Sequence, residues 1–314
     1  MNPTAAFELP RSDDVLAGLR APTRRLPCRL LYDQRGAELF EQICTLAEYY
    51  PTRNELALLE RHLPAIARAI GPSARVIEPG SGAGHKTRML LAALERPVGY
   101  VPIDVSGEQL EANARALRGE FPGVAVDPVL GDYTAALALP PPPPGTARTV
   151  AFFPGATLGN FEPEDARRFL AMLRAVAGAG GALLLGTDSN QDVESLLRAY
   201  DDGEGVTAAF DLNVLAHVNR SHGATFERER FAHRAVWLAS RSRIEMHLVS
   251  RCRQTVRVAG ETFLFARGEA IVTEHCYKHP PAAIAAMLAA AGWRVADVMA
   301  DPDDRMRLWL ATAA

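Results

Sequence analysis

The chain has 314 residues, 48% of them hydrophobic and 23% charged, with a formal net charge of -3. That length suits one large domain or two moderate ones sharing a core, and the charge balance excludes the basic stripe of a nucleic-acid binder and a polybasic membrane anchor. The four cysteines, Cys28, Cys44, Cys252 and Cys276, form no C-x-x-C pair and stand at no zinc-like spacing to histidine, so free thiols in a reducing cytoplasmic compartment are expected, with no metal site.

The opening "MNPTAAFELPRSDD" has no apolar core of signal-peptide length. No apolar run approaches the ~20 residues of a membrane span. Further along, "ARVIEPG" reads as a buried strand ending at Gly80, and "KTRMLLAALE" follows with helical periodicity. "VGYVPIDV" is a second strand, "GEQLEANARALRGEF" an amphipathic helix and "VAVDPVLGD" a third strand. Pro140 to Pro144 form a stiff surface loop, because a proline run cannot donate backbone hydrogen bonds. "RTVAFFPGAT" is the fourth strand, "PEDARRFLAMLRAVA" a helix and "GALLLGTD" the fifth strand. Near-continuous apolar strands separated by helices imply a parallel sheet covered on both faces.

From about Tyr200 to His279 the pattern changes to strand-like runs, "NVLAHVNR", "RIEMHLVS", "QTVRVAG" and "ETFLFARG". The chain ends with a helix, "PAAIAAMLAAAG", and two strands, "WRVADVMAD" and "RMRLWLATA", whose "DPDD" link predicts an antiparallel hairpin.

"IEPGSGAGHKTR" occupies the first strand-to-helix turn. Gly80, Gly82 and Gly84 allow a sharp bend and a close approach to a ligand. Ligands of open α/β sheets bind at the carboxyl ends of the strands, near the switch in strand order. The spacing is G-x-G-x-G; the dinucleotide fingerprint needs G-x-G-x-x-G, and His85 stands at its last position. That departure disfavours NAD and favours the acidic-x-G-x-G-x-G loop of S-adenosylmethionine enzymes, with Glu78 as the acidic residue. Lys86, which follows the turn, is placed in the same cofactor site. Asp104 ends the second strand, where a carboxylate can accept both ribose hydroxyls. In "GDYT", Asp132 can accept from an adenine amino group and the Tyr133 ring can pack on the base. The fold class expected is therefore α/β, a Rossmann-like methyltransferase sheet, doubly wound, with a C-terminal antiparallel hairpin and a second, mixed α+β substrate-binding lobe. Residues 61–196 and 281–314 are assigned to the core, and 1–60 and 197–280 to the lobe.

The long stretches "LYDQRGAELFEQICTLAEYYPTRNE", "GSGAGHKTRMLL", "FFPGATLGNFEP", "LLLGTDSNQD", "LLRAYDDGEGVTAAFDLNVLAHVNR", "RIEMHL" and "TEHCYK" cover most of the chain. In them the sequence resembles the L-histidine Nα-methyltransferases of ergothioneine biosynthesis. "EYYPTRNE" and "AYDDGEGVTAAF" are far more specific than a glycine loop. The resemblance implies successive transfer of three methyl groups from S-adenosylmethionine to the α-amine of histidine, giving hercynine. The implied partner is a small amino acid, with no nucleic acid or membrane, and a monomer is expected.

By the same resemblance Tyr32, Tyr49, Asn160 and Tyr200 surround the amino-acid head group, with Tyr32 and Asn160 as the catalytic pair. Gly155 and Thr207 match positions near the substrate. Glu274 matches the acidic residue that holds the imidazole, and Met246 lines the same pocket. The family usually has serine where this chain has Cys276, a weaker hydrogen-bond partner. His275 is also atypical. Two alternatives follow: an N-methyltransferase for another amino acid or a derived metabolite, and a nonenzymatic binder of S-adenosylmethionine. The second would be expected to lose the head-group residues, which are all present.

Overall fold

The computed structural model describes residues 12–135 and 137–314; most of the opening segment read for a leader lies outside them. In chain order the first elements are α1 (Ser12–Arg20), α2 (Gln34–Ile43), α3 (Tyr50–Ile70), β1 (Ala74–Pro79), α4 (His85–Ala93), β2 (Gly99–Asp104) and α5 (Gly107–Glu120). Next come β3 (Ala125–Val126), β4 (Val129–Leu130), β5 (Arg148–Phe153), α6 (Pro163–Ala177), β6 (Ala182–Asp188), α7 (Val193–Tyr200) and α8 (Val206–His222). The chain closes with β7 (Phe231–Leu238), β8 (Arg243–Ser250), β9 (Gln254–Val258), β10 (Glu261–Phe265), β11 (Ala270–Tyr277), α9 (Pro281–Ala290), β12 (Trp293–Ala300) and β13 (Met306–Ala313).

Contacts divide these elements into two compact units. The first comprises Pro51–Asn190 and Lys278–Ala314. Its sheet has the order β12-β13-β6-β5-β1-β2-β3, with β4 also paired to β2. β1, β2, β5 and β6 run parallel, and β13 returns antiparallel to β6 and to β12. β1 and β6 are buried along their whole length, which is why they read as mostly apolar runs, interrupted by Arg75 and Glu78 in β1 and by Thr187 and Asp188 in β6. Phe153, Phe169, Leu170, Trp293 and Trp309 form one core layer, where the Trp293 indole N–H donates to the Leu170 carbonyl at 2.9 Å. The strand order reverses about β1, with β2 on one side and β5 on the other, so the turns after β1 and β5 flank the switch point.

The second unit comprises residues 12–50 and Gln191–Tyr277. It holds a three-stranded antiparallel sheet, β11-β8-β7, and the separate hairpin β9-β10. Two sequence expectations need correction. "VAVDPVLGD" is not one strand: Pro128 lacks an N–H, and the segment splits into β3 and β4. "NVLAHVNR" is helical, lying within α8. Its buried residues Thr207, Phe210, Val214, Val218 and His222 recur every three or four positions, a helical period that a window opened at Asn213 hides.

Candidate active site

The turn after β1 is left-handed at Gly80, Gly82 and Gly84, with φ of 69°, 49° and 73°. A side chain at any of them would be strained. The Gly82 peptide is held from both sides: its N–H donates to Asp104 Oδ2 at 3.0 Å, and its carbonyl accepts from the Asn113 amide at 2.5 Å. Asp104 Oδ1 accepts from the Ser106 N–H at 3.0 Å. Each carboxylate oxygen retains acceptor capacity, so Asp104 can fasten the loop and still receive a diol. A Cβ built on Gly82 would meet nothing within 4 Å, which leaves the loop's backbone open to a ligand. These features fit a nucleoside bearing an amino-acid tail.

Below the loop, Glu78 is buried at the end of β1 and accepts from the Tyr100 hydroxyl at 2.5 Å and from the Thr87 hydroxyl. Burial pushes its carboxyl up to about 7, with the Thr87 and Tyr100 hydrogen bonds pulling partly back. Burial and the Glu78 charge push the Tyr100 phenol well above its usual range, which keeps it a donor. Asp132 accepts at Oδ1 from the backbone N–H and hydroxyl of Thr134, at 2.8 and 2.6 Å. The Tyr133 ring packs edge-on against Phe153 at 6.0 Å between centroids and lies over Gly80, where a Cβ would come within 3.3 Å of it.

The turn after β5 is left-handed at two successive residues, Gly155 (φ 83°) and Ala156 (φ 57°). It leads into a 3-10 turn, Thr157–Asn160, that ends on Asn160. Glu55, fully buried on α3, joins this turn to α4. Its carboxylate pairs with the Lys86 ammonium and accepts from the Gly155 N–H at 2.8 and 2.9 Å. On the neighbouring strand β6, a Cβ at Gly186 would fall 1.7 Å from Glu55 Oε1, so glycine there makes room for the carboxylate. Lys86, expected at the cofactor, is thus also the counter-ion of a buried glutamate.

In the second unit the tyrosines gather. Tyr32 and Tyr49 both pack edge-on against Phe40, at 5.7 and 6.2 Å; Tyr49 also meets Tyr200 at 6.3 Å, and Tyr32 meets Phe210 at 5.5 Å. Thr207, in the first turn of α8, donates its N–H to Asp202 Oδ2 at 2.7 Å. Burial raises the Asp202 carboxyl, but hydrogen bonds from Thr207 and Val206 outweigh it and leave it below its usual value. On β11 the register slips between Val272 and Glu274. The bulge places Glu274 opposite Met246 and Cys276 opposite Ile244, so Met246, Glu274 and Cys276 share one sheet face. Tyr32, Tyr49, Tyr200, Thr207, Met246, Glu274 and Cys276 therefore belong to one unit, whereas Gly155, Asn160 and the residues expected at the cofactor belong to the other. Among the described residues, no group of three or more His, Cys, Asp or Glu is disposed to hold a metal ion, and no helix is long and apolar enough to cross a membrane.

A family model described as histidine-specific methyltransferase, SAM-dependent, matches residues 11–313. The chain belongs to this family. It is accordingly a methyltransferase that uses S-adenosylmethionine. A relative named histidine N-alpha-methyltransferase, from Mycolicibacterium smegmatis, is 42% identical over 95% of this chain and 93% of its own length. A second of that name, from Mycobacterium tuberculosis, is 42% identical over 89% of this chain and 87% of its own. The crystal structure of magnesium protoporphyrin IX methyltransferase from Synechocystis, with bound SAH, covers 91% of this chain and 97% of that one at a TM-score of 0.50 and 12% identity. That last likeness is one of fold alone, a Rossmann-like methyltransferase sheet with a C-terminal antiparallel hairpin.

Sequence reasoning on this methyltransferase passed over Glu55 and Asn54, although both lie in the unusual "YYPTRNE" stretch. Asn54 donates to Asp301 Oδ2 at 2.6 Å. Asp301 in turn accepts at Oδ1 from the N–H groups of Arg305 and Met306, at 2.7 and 3.0 Å, and so shapes the "DPDD" hairpin turn. The signal was present: both lie in a stretch far more specific than the glycine loop. Lys278 and Asp188, each fully buried and 2.7 Å apart, were likewise not singled out, although both lie in stretches quoted for the resemblance.

Proposed function

We propose that this enzyme methylates the α-amine of L-histidine three times in succession, yielding hercynine as a step toward ergothioneine. The observation that carries this proposal is the match to a histidine-specific family along almost the whole chain. S-adenosylmethionine, when bound, supplies an electrophilic methyl group on a sulfonium. The protein's task is to present a neutral amine in line with it; no covalent nucleophile is needed.

The roles proposed follow the resemblance. Gly80, Gly82, Gly84 and Lys86 hold the methionine part of the cofactor, Asp104 the ribose, and Asp132 and Tyr133 the adenine. Tyr32 and Asn160 orient the amine, and Tyr49, Gly155, Tyr200 and Thr207 complete the head-group site. Hydroxyls and an amide suit an amine that loses a hydrogen-bond donor at each transfer, because they can rotate to new partners. Glu274 accepts from the imidazole N–H, with Met246 and Cys276 beside it. The second unit is then a substrate-binding lobe.

The test is a mass-spectrometric assay of the purified protein with S-adenosylmethionine and each of the twenty amino acids. Mono-, di- and trimethylated histidine should appear in succession, and histamine, which lacks the carboxylate, should react very poorly. Preferential methylation of another amino acid would refute the histidine assignment and leave the methyltransferase intact.

A further inference from the structure

The shared face of Met246, Glu274 and Cys276 also holds a buried polar chain that the proposed roles do not use. His233 on β7 pairs with Leu248 on β8, and Leu248 shares the alternation of Met246, so His233 points to the same face. Its side chain is 1% exposed and that of its partner Asp211, on α8, is 0% exposed. Nδ1 of the ring lies 2.7 Å from Asp211 Oδ2, and Nε2 lies 2.8 Å from the backbone carbonyl of Tyr200. With Asp211 ionised, both neighbours are acceptors only. A neutral imidazole has one N–H and one lone pair, and the lone pair would face an oxygen at hydrogen-bond distance. Only the doubly protonated ring satisfies both contacts. Burial opposes the charged ring, but the hydrogen bond and charge of Asp211 outweigh it and hold its pKa above the usual value. The charged groups turned toward the ring are Asp211 from α8 and Asp201, just after α7, whose Oδ1 is 3.9 Å from Nε2.

The chain continues past Asp211. The Thr273 hydroxyl, at the β11 bulge, donates to Asp211 Oδ1 at 2.5 Å and lies 3.1 Å from the Met246 carbonyl. Tyr200 is the last residue of α7, where carbonyls that look past the end of the helix and the helix dipole favour a cation. One buried charge pair therefore ties the end of α7, which carries Tyr200, to the strand position next to Glu274.

We infer that His233, clamped as an imidazolium between Asp211 and the Tyr200 carbonyl, is a positioning residue that sets Tyr200 in register with Glu274 for the amino-acid substrate. The inference rests on the head-group role proposed for Tyr200. His233 touches no reacting atom in it. It fixes the backbone from which the Tyr200 side chain projects, and Asp211 keeps the ring charged.

Two measurements on the full-length protein test it. In nitrogen NMR of histidine-labelled protein, both His233 ring nitrogens should remain protonated at a pH where an ordinary histidine has become neutral. A neutral ring there would overturn the inference. In kinetics, Asp211→Asn should raise the KM for histidine about tenfold, as expected for a lost charged hydrogen bond, and leave kcat and S-adenosylhomocysteine affinity nearly unchanged. The same substitution placed on Tyr200→Phe should add little, since both act through one contact. Additive losses, or a loss falling on cofactor affinity, would refute the positioning role alone. A Tyr200→Phe enzyme with normal histidine KM would refute the head-group role and this inference with it. Should Asp211→Asn fold poorly, Thr273→Val removes only the outer hydroxyl and should shift the histidine KM in the same direction by a smaller factor.

Discussion

Replacing Glu78 by glutamine should flatten the pH dependence of stability. The Glu78 carboxyl is buried beneath the glycine turn, and burial lifts it from an ordinary 4.5 to about 7. The folded state therefore binds a proton between these values that the unfolded chain has released. Stability from this group is complete below about 4.5 and is lost as the pH rises through 7, because the folded protein must then carry a buried anion. At roughly 1.4 kcal/mol per pKa unit, the wild type should lose about 2–3 kcal/mol between pH 5 and pH 8 from Glu78 alone. Glutamine can still accept from the Thr87 and Tyr100 hydroxyls but cannot ionise, so Glu78→Gln should lack that part of the slope. Urea unfolding of both proteins at the two pH values measures the difference directly. The slopes are compared rather than the absolute stabilities, since the new amide N–H groups bring their own cost of about 1–3 kcal/mol if left unpaired. Parallel profiles for the two proteins would show that Glu78 does not titrate in this window and would refute the reasoning.

Gly186→Ala should destabilise the protein by several kcal/mol, roughly the scale of overpacking and of an unpaired buried charge combined, because the new methyl displaces the Glu55 carboxylate from Lys86 and Gly155; an unchanged melting temperature would contradict it. Asp104→Ala should weaken S-adenosylhomocysteine binding by ~1–3 kcal/mol through lost acceptors and loosening of the Gly82 peptide, as read by calorimetry. Glu274→Ala should lower kcat/KM for histidine by ~2 kcal/mol or more, whereas Cys276→Ser should be tolerated or should improve histidine use, since a hydroxyl is the stronger hydrogen-bond partner. Equal losses in these two variants would remove Glu274 from the imidazole site.

The glycine turn, Asp104 and the alternating strands and helices of the first unit were readable one segment at a time, because each is a local pattern. A buried parallel strand is apolar over most of its length, and a tight turn against a ligand needs residues free of a Cβ. The C-terminal hairpin was legible for the same reason, from "DPDD" between two apolar runs. Segments whose periodicity is shared between two states were harder. In α8 the polar residues Asp211 and Asn213 are buried with the apolar ones, so the outline of the helix was blurred; Asn213 earns its place by donating to Asp33 at 2.7 Å.

By itself, then, the sequence determined a doubly wound sheet, a glycine turn after its first strand, the use of S-adenosylmethionine and the family to which the chain belongs. Only the tertiary structure decided which polar groups meet. Glu55 reaches Lys86 across 31 positions and Gly155 across 100, and His233 reaches Tyr200 across 33. No local pattern encodes such pairs, because they form only where separate elements pack. The bulge at Thr273 makes the point most sharply: one inserted residue reverses the alternation of β11 and brings Glu274 and Cys276 to the face of Met246. Side chains alternate with a period of two, so a single-residue slip, invisible in composition or spacing, selects which side of the strand carries the chemistry.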